Sequence, residues 1–214
     1  QKITFSAVRF LDNVIDRNKY PLKQIEKISK ENRKIGLGVM GFADLLYKLE
    51  TPYNSEEAVD IAELLMKSIS QYADEASISL AEERGAFANW NKSIYVKENK
   101  KFRNATRTTI APTGTISLIA DASSGIEPIF AIAYSRKAMD NYILEYFHPY
   151  CREVLSKLPG FSDEILKKIE ETGSLKNIEG IPQNFQEIFV TAHEIEPTWH
   201  VKIQAAFQKH TDNA

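Results

Sequence analysis

One stretch constrains this chain more than any other. It runs Arg103-Asn104-Ala105-Thr106-Arg107-Thr108-Thr109-Ile110-Ala111-Pro112-Thr113-Gly114-Thr115-Ile116-Ser117. Thr106 to Ile110 are β-formers and read as a short strand. Pro112 ends that strand, because proline has no N–H to give a ladder. Thr113-Gly114-Thr115 follows, and Gly114 permits a tight turn and a close backbone approach. A hydroxyl from Thr113 or Thr115 is expected to cap the helix that starts there. A strand, a turn and a helix start together gather bare N–H groups and the positive end of a helix dipole, where phosphate binds well. No Gly-Lys-Ser/Thr is present, so this is not a Walker loop, and the donors are amides and alcohols. The same residues also suit a capped turn with no ligand.

The chain has 214 residues, 43% of them hydrophobic, enough for one sizeable core. With no linker and no internal repeat, residues 1–214 read as a single domain, or part of a larger one. A net charge of −2 argues against a nucleic-acid surface, which needs a basic excess. No apolar run approaches the ~18 residues of a membrane span. Gln1-Lys2-Ile3-Thr4-Phe5 has no apolar signal core and no initiator Met, which fits a fragment or a processed chain. One cysteine excludes an internal disulfide and fits a reducing, cytoplasmic compartment.

Taken in order, Phe5, Val8, Leu11, Asp12 and Ile15 fall at helical spacing, and Pro21 opens a second helix with Leu22, Ile25 and Ile28 on one face. Gly36-Leu37-Gly38-Val39-Met40-Gly41 matches a dinucleotide-binding pattern, but Lys30 to Lys34 before it is no buried strand. A close-packed helix through Val39, Phe42, Leu46 and Leu49 is the expectation instead. Ser55 caps a long helix to Arg84, stopped by Gly85. Its core face is read as Ala58, Ala62, Leu65, Ile69, Tyr72, Ala76 and Leu80. Phe87 to Lys101 is an irregular connection anchored by Trp90 and Tyr95. Asp121 to Glu127 is a loop of small residues, read as active-site wall or as an ordinary surface turn. His148-Pro149 opens a helix that buries Cys151, a core residue rather than a nucleophile. Ser162 caps another, which Gly173 stops. Glu187 to Thr191 reads as a second strand, and Pro197 begins a final helix reaching about Asp212. His193, Glu196 and His200 invite a metal reading, yet no H-E-x-x-H is present and Pro197 separates the two histidines.

The run RNATRTTIAPTGTISLIADASSGIEP resembles the phosphate-binding loop of the ribonucleotide reductase large, catalytic subunit, closest to the adenosylcobalamin-dependent class II form. VRFLDNVID, NRKIGLGVMGFADLL, LAEERGAF, VTAHEIEPTWH and AAFQKHTDNA follow that family's order across nearly the whole chain. The resemblance implies an α/β fold: a helix-rich, partial section of a ten-stranded α/β barrel, cut at both ends. It implies that Thr113, Gly114, Thr115 and the Ile116 amide bind substrate phosphates, with Ser117 a weaker candidate and Pro112 shaping the loop. The implied partners are a ribonucleotide substrate and the remainder of the reductase chain. Neither nucleic acid nor membrane is expected, and exposed barrel edges are expected to make the isolated chain self-associate.

In that family a cysteine thiyl radical takes the ribose 3′ hydrogen and two further thiols donate electrons, with adenosylcobalamin starting the radical in the class II form. This chain has one cysteine and no Asn-x-Cys-x-Glu. The resemblance therefore assigns it no catalytic residue, no metal and no cofactor of its own, and it is expected to be inactive alone. Three other readings stand beside this one. They are a non-catalytic helical module docking through Ser55–Arg84, a metal-dependent hydrolase using His193, Glu196 and His200, and the class I, partner-activated reductase.

Overall fold

A computed structural model describes residues 1–137 and 143–213. The chain forms two compact units. One comprises Gln1–Val39, Asp60–Ala111 and Gln204–Ala214; the other comprises Met40–Val59 and Pro112–Ile203.

The first unit holds α1 (Lys2–Arg17), α2 (Lys23–Asn32) and most of α4 (Glu56–Arg84). In α1 the stripe Thr4, Val8, Asp12 and Ile15 is buried, following the helical period. The core of this unit joins Val8 and Ile15 to Ile35, Ala73, Ala76 and Leu80. Helix α4 begins as its cap predicts, with Ser55 Oγ accepting the Ala58 N–H at 3.1 Å, and stops at Gly85 (φ 85°). Its buried face is rotated from the expected one. Met66 and Ala73 are fully buried, whereas Leu65, Ile69 and Tyr72 are only half-buried. On the true face the small, buried Ser77 lets the backbone at Arg103 and Asn104 come close, its carbonyl accepting the Arg103 N–H (3.0 Å) and its Oγ the Asn104 N–H (3.1 Å). Phe87 to Lys101 contains two short 3₁₀ turns, Trp90–Lys92 and Ile94–Glu98. Trp90 Nε1 donates to Lys100 O at 2.6 Å and Tyr95 OH to Ala105 O at 3.0 Å, so both aromatics anchor the segment.

The expected glycine-rich helix does not form over Gly36–Gly41. Instead Ile35 to Leu37 run extended beside Thr106 to Thr109: Ile35 N–H donates to Thr106 O (3.1 Å), Leu37 N–H to Arg107 O (2.8 Å) and Thr109 N–H to Leu37 O (3.0 Å). Leu37 and Thr108 pair in parallel. The strand expected at Thr106–Ile110 is thus reduced to one parallel bridge. Non-local backbone pairing won over the helical spacing of Val39, Phe42, Leu46 and Leu49, whose helical part starts only at Phe42. The glycines do serve close approach, since a Cβ added to Gly38 would lie 2.5 Å from Thr109 O.

Charge is buried in this unit in two clusters. Asp12 Oδ1 accepts from Arg33 Nε (2.8 Å) and Asn104 Nδ2 (3.0 Å), while its Oδ2 meets Arg84 Nη1 (3.3 Å) and Arg103 Nε (3.4 Å). Arg107 lies between Asp74 (2.8 Å) and Asp212 (3.1 Å), with its guanidinium 4.3 Å above the Phe102 ring. Asp212 also accepts the Arg107 N–H at 2.7 Å, so the backbone beside the parallel bridge is tied down by its carboxylate.

The second unit holds α3 (Phe42–Lys48), α5 (Gly114–Ala120), β1 (Ala133–Lys137), β2 (Ile143–Phe147), α6 (Pro149–Leu155), α7 (Asp163–Thr172), α8 (Gln183–Ile188) and most of α9 (Pro197–Gln208). Strands β1 and β2 form an antiparallel pair with Tyr134 opposite Tyr146, their rings stacked at 4.8 Å. The core gathers Tyr47, Ile132, Cys151, Leu155, Ile169, Leu175 and Phe189. Burial pushes the Cys151 thiol well up, consistent with a core role. Helix α7 starts at Ser162, whose Oγ accepts the Ile165 N–H (3.4 Å), and stops at Gly173 (φ 71°). Pro197 opens α9, which ends at Gln208, four residues short of the expected Asp212.

Glu187–Thr191 is not a strand. Helix α8 covers Gln183–Ile188, and a 3₁₀ turn follows at Ala192–Glu194. Read with Phe185, the residues Ile188 and Phe189 sit at helical spacing. Phe185 and Phe189 stack at 6.5 Å, and Phe189 meets Tyr47 at 4.7 Å. A short apolar run is ambiguous by period alone, and here the aromatic contacts chose the helix.

Candidate functional site

The strand-to-helix turn is built differently from expectation at its first residues. Thr113, not Gly114, takes the left-handed conformation (φ 52°). Neither Thr113 nor Thr115 caps α5 with its hydroxyl. The Thr113 side chain turns back to accept the Gly125 N–H at 2.7 Å, because a loop amide reaches it before the helix's own N–H groups can. Its hydroxyl hydrogen is not used in that bond. The first helical bond runs from Ser117 N–H to Thr113 O at 2.9 Å. The amides of Gly114, Thr115 and Ile116 therefore have no intrahelical acceptor, as at any helix start. Gly114, Thr115 and Ile116 are exposed, and a Cβ on Gly114 would meet nothing within 4 Å. Ser117 is buried, with its Oγ 3.3 Å from Gly114 O and 3.0 Å from Ser124 Oγ. Its hydroxyl is engaged inside the protein, so it braces the loop rather than presenting a donor.

Behind this turn lies a cavity of about 980 Å³. Of the five predicted loop residues only Ser117 lines it, beside Leu118, and Ser123, Ser124 and Glu127 from the predicted wall segment line it as well. Asp44, Tyr146 and His148 are among its other polar residues, with Lys48 and Asp121. Asp44 stands in the first turn of α3, after Gly41 in a left-handed conformation (φ 81°) that glycine adopts without strain. Its Oδ2 accepts the Ser123 N–H at 2.6 Å, and its Oδ1 lies 2.9 Å from His148 Nε2. His148 caps α6, its Nδ1 accepting the Cys151 N–H at 3.4 Å. That leaves the ring hydrogen on Nε2, aimed at Asp44. Burial by itself would raise the Asp44 carboxyl, but the hydrogen bonds from His148 and the Ser123 N–H outweigh it and hold the group below the usual carboxylate range. Burial also pushes the Tyr146 phenol up to about 12.

Residues of the segment 121–127 do line this cavity, whereas nothing in the sequence announces Asp44 and His148 as a pair. They are 104 residues apart, and no spacing rule joins them. The metal candidates do not come together as ligands. His193 packs edge-on to Phe130 (4.9 Å), His200 Nδ1 lies 3.9 Å from Glu127, and Glu196 is exposed. Among the described residues no group of three or more His, Cys, Asp or Glu side chains could hold a metal ion. No helix among them is long and apolar enough to cross a membrane.

The helix-rich fold is that of a section of an α/β barrel, by its likeness to known proteins. A solved structure, the Actinobacillus ureae class Id ribonucleotide reductase alpha subunit, shares this fold with a TM-score of 0.80, covering 98% of this chain and 38% of that one at 24% identity. The family profile described as "Ribonucleotide reductase, barrel domain" matches residues 1–214, and the chain belongs to that family. It is 51% identical over its whole length to a vitamin B12-dependent ribonucleoside-diphosphate reductase of Thermoplasma acidophilum, of which it covers 28%. It is 45% identical to the protein of that description in Mycobacterium tuberculosis (strain CDC 1551 / Oshkosh), covering 31% of it. A ribonucleoside-diphosphate reductase subunit alpha of Chlamydia muridarum is 35% identical over 96% of the chain, which covers 23% of that protein. The chain thus spans less than a third of the curated relatives it matches.

Proposed function

We propose that this chain is part of a ribonucleotide reductase catalytic subunit, which converts ribonucleotides to 2′-deoxyribonucleotides by radical chemistry. Its own contribution is the substrate-phosphate loop at Thr113–Ser117 and a part of the barrel scaffold. The observation that carries the reading is the family match across every residue, joined to a helix start at the exposed residues Gly114, Thr115 and Ile116, whose amides have no intrahelical acceptor. Those amides and the hydroxyls of Thr113 and Thr115 are neutral donors grouped within one turn, the chemistry a polyphosphate needs. Fixing the anionic tail orients the ribose, and orientation of that kind supplies several kcal/mol of barrier reduction. The relatives' names favour a ribonucleoside diphosphate as substrate, and the single cysteine fits a cytoplasmic, reducing setting.

The reductive chemistry belongs to other residues of the parent protein. A disulfide cannot form from one cysteine, and Cys151 is fully buried with its thiol pKa pushed up. The relatives' vitamin B12-dependent names imply adenosylcobalamin for the parent enzyme, where it would supply the initiating radical. Among the described residues no group of three or more His, Cys, Asp or Glu side chains is gathered as ligands, and the buried His148 has both ring nitrogens engaged.

Replacing Thr113 and Thr115 together by alanine in the full-length reductase is expected to raise KM for a ribonucleoside diphosphate at least tenfold, on the order expected for losing two phosphate hydrogen bonds. An unchanged KM would defeat the assignment of the loop. The isolated chain carries exposed apolar side chains, with Ile119 at 83% and Phe130 and Val201 at 68% exposure. It is expected to self-associate through such surfaces. Light scattering reporting a monomer at every concentration would refute this.

A further inference from the structure

We infer that Asp44 and His148 are positioning residues for the phosphate loop, acting through the wall segment 121–127. The inference rests on the reading of Thr113–Ser117 given above.

Helix α5 has seven residues, too few to be stable by itself. Its only buried residue is Ser117, while Ile116, Leu118 and Ile119 are all exposed. Apolar packing therefore does little to place it. What places it is a set of polar tethers to the wall segment. Thr113 Oγ1 accepts the Gly125 N–H (2.7 Å), Ser117 Oγ meets Ser124 Oγ (3.0 Å), and the Ala122 N–H donates to Ser117 O (3.0 Å).

The wall segment is gripped in turn at Ser123, and further along at Ile126, whose carbonyl accepts the Tyr53 hydroxyl at 2.9 Å. The Ser123 N–H donates to Asp44 Oδ2 (2.6 Å), the Ser123 carbonyl accepts the Gly41 N–H (2.8 Å), and the Ser123 Oγ lies 3.4 Å from the Asp44 N–H. All three Ser123 bonds come from the first turn of α3. His148 closes the chain by donating from Nε2 to Asp44 Oδ1 (2.9 Å), which fixes the carboxylate plane so that Oδ2 faces Ser123. His148 is itself held by the Cys151 N–H on Nδ1 and by the Tyr47 ring, 5.4 Å away edge-on. A line of hydrogen bonds thus runs from the core of this unit to the residue that opens the loop.

The chemistry of the pair makes a sharp test. Asparagine at position 44 keeps the shape but replaces one acceptor by an NH₂ donor. If its oxygen faces the Ser123 N–H, its NH₂ faces the His148 Nε2–H, donor against donor. His148 can turn Nε2 into an acceptor only by moving its hydrogen to Nδ1, where the Cys151 N–H already donates. One bond is lost in either tautomer. Glutamine at position 148 offers an acceptor oxygen to the new NH₂ and restores the pairing with residue 44, giving up only the long 3.4 Å bond from the Cys151 N–H.

The experiment measures KM and kcat for a ribonucleoside diphosphate in the full-length reductase. Asp44→Asn is expected to raise KM roughly tenfold, the scale of one lost hydrogen bond with a buried partner left unpaired, and to lower kcat by less. Adding His148→Gln is expected to bring KM back to within about threefold of wild type. A merely structural role would not predict recovery of KM by a second substitution at the partner. An unchanged KM in Asp44→Asn, or a raised KM that His148→Gln leaves in place, would overturn the inference. In either case Thr113→Ala with Thr115→Ala still raising KM would leave the loop assignment standing; if that variant is silent, both readings fall together. Should Asp44→Asn not accumulate as folded protein, Ser124→Ala cuts the same line at Ser117. A raised KM there supports the inference and an unchanged one rejects it.

Discussion

Replacing Asp12 by alanine is expected to destabilise the fold by about 3–5 kcal/mol, the range for stripping one partner from a buried charge cluster. The Asp12 side chain is fully buried, and Arg33 is nearly so at 6% side-chain exposure. Three guanidinium groups and one carboxamide point at this single carboxylate. Arg33 would keep Asp16, which binds it through two bonds of 2.8 and 2.9 Å, but Asp16 is half exposed and shares its charge with solvent. Arg84 and Arg103 would face each other's charge with the central anion gone. Asn at this position restores the shape yet aims an NH₂ at two guanidinium groups, so it is expected to behave almost as badly as alanine. Glu153→Ala serves as the contrast: it breaks an exposed ion pair with Lys157, where solvent screening leaves little to lose, and its urea midpoint should stay near wild type. The check is urea unfolding of the three variants. An Asp12→Ala protein with the wild-type midpoint would show that the cluster contributes no net stability.

The second large effect is expected at Gly38. An added methyl would lie 2.5 Å from the carbonyl oxygen of Thr109 and 3.5 Å from its carbon. The obstacle is backbone, held by the hydrogen bond from Thr109 N–H to Leu37 O. It cannot rotate away as a side chain would. Gly38→Ala is therefore expected to cost about 1–3 kcal/mol or more, through overpacking and loss of the parallel bridge. Gly36→Ala meets Thr109 as well, but through its side chain, at 2.6 Å from Cγ2 and 2.9 Å from Cβ. Thr109→Ser removes the nearer of those atoms and keeps the hydroxyl that donates to Asn213 O. It should recover part of the Gly36→Ala loss and none of the Gly38→Ala loss. Thermal melts of the two pairs of variants decide this, and equal rescue of both would contradict the geometry.

These two sites show where the chain was legible and where it was not. Asp12 was placed on the buried face of α1 by spacing, but nothing nearby announces Arg33, Arg84 and Arg103 as its partners. Gly38 was read as a residue of close approach, and it is one, yet in an extended segment and not in a helix. The helix caps at Ser55, Ser162 and Pro197 and the stops at Gly85 and Gly173 were readable because each depends on a few neighbouring residues. The β1–β2 pair went unseen, and the strand expected at Glu187–Thr191 turned out to be the end of a helix and the approach to a 3₁₀ turn. Both failures concern β structure, whose stabilising bonds come from residues distant in sequence.

The loop proposed to bind phosphate divides in the same way. Its residues, its family and its neutral-donor character stood in the order Pro112-Thr113-Gly114-Thr115, because motif identity is written locally. That Thr113 turns toward Gly125, that Ser117 is buried against Ser124, and that Asp44 and His148 hold the wall behind them were decided by tertiary structure alone. Hydrogen bonds between groups 7 to 104 residues apart leave no periodic trace in a sequence. They exist only once the packed core has set the distance between their donors and acceptors.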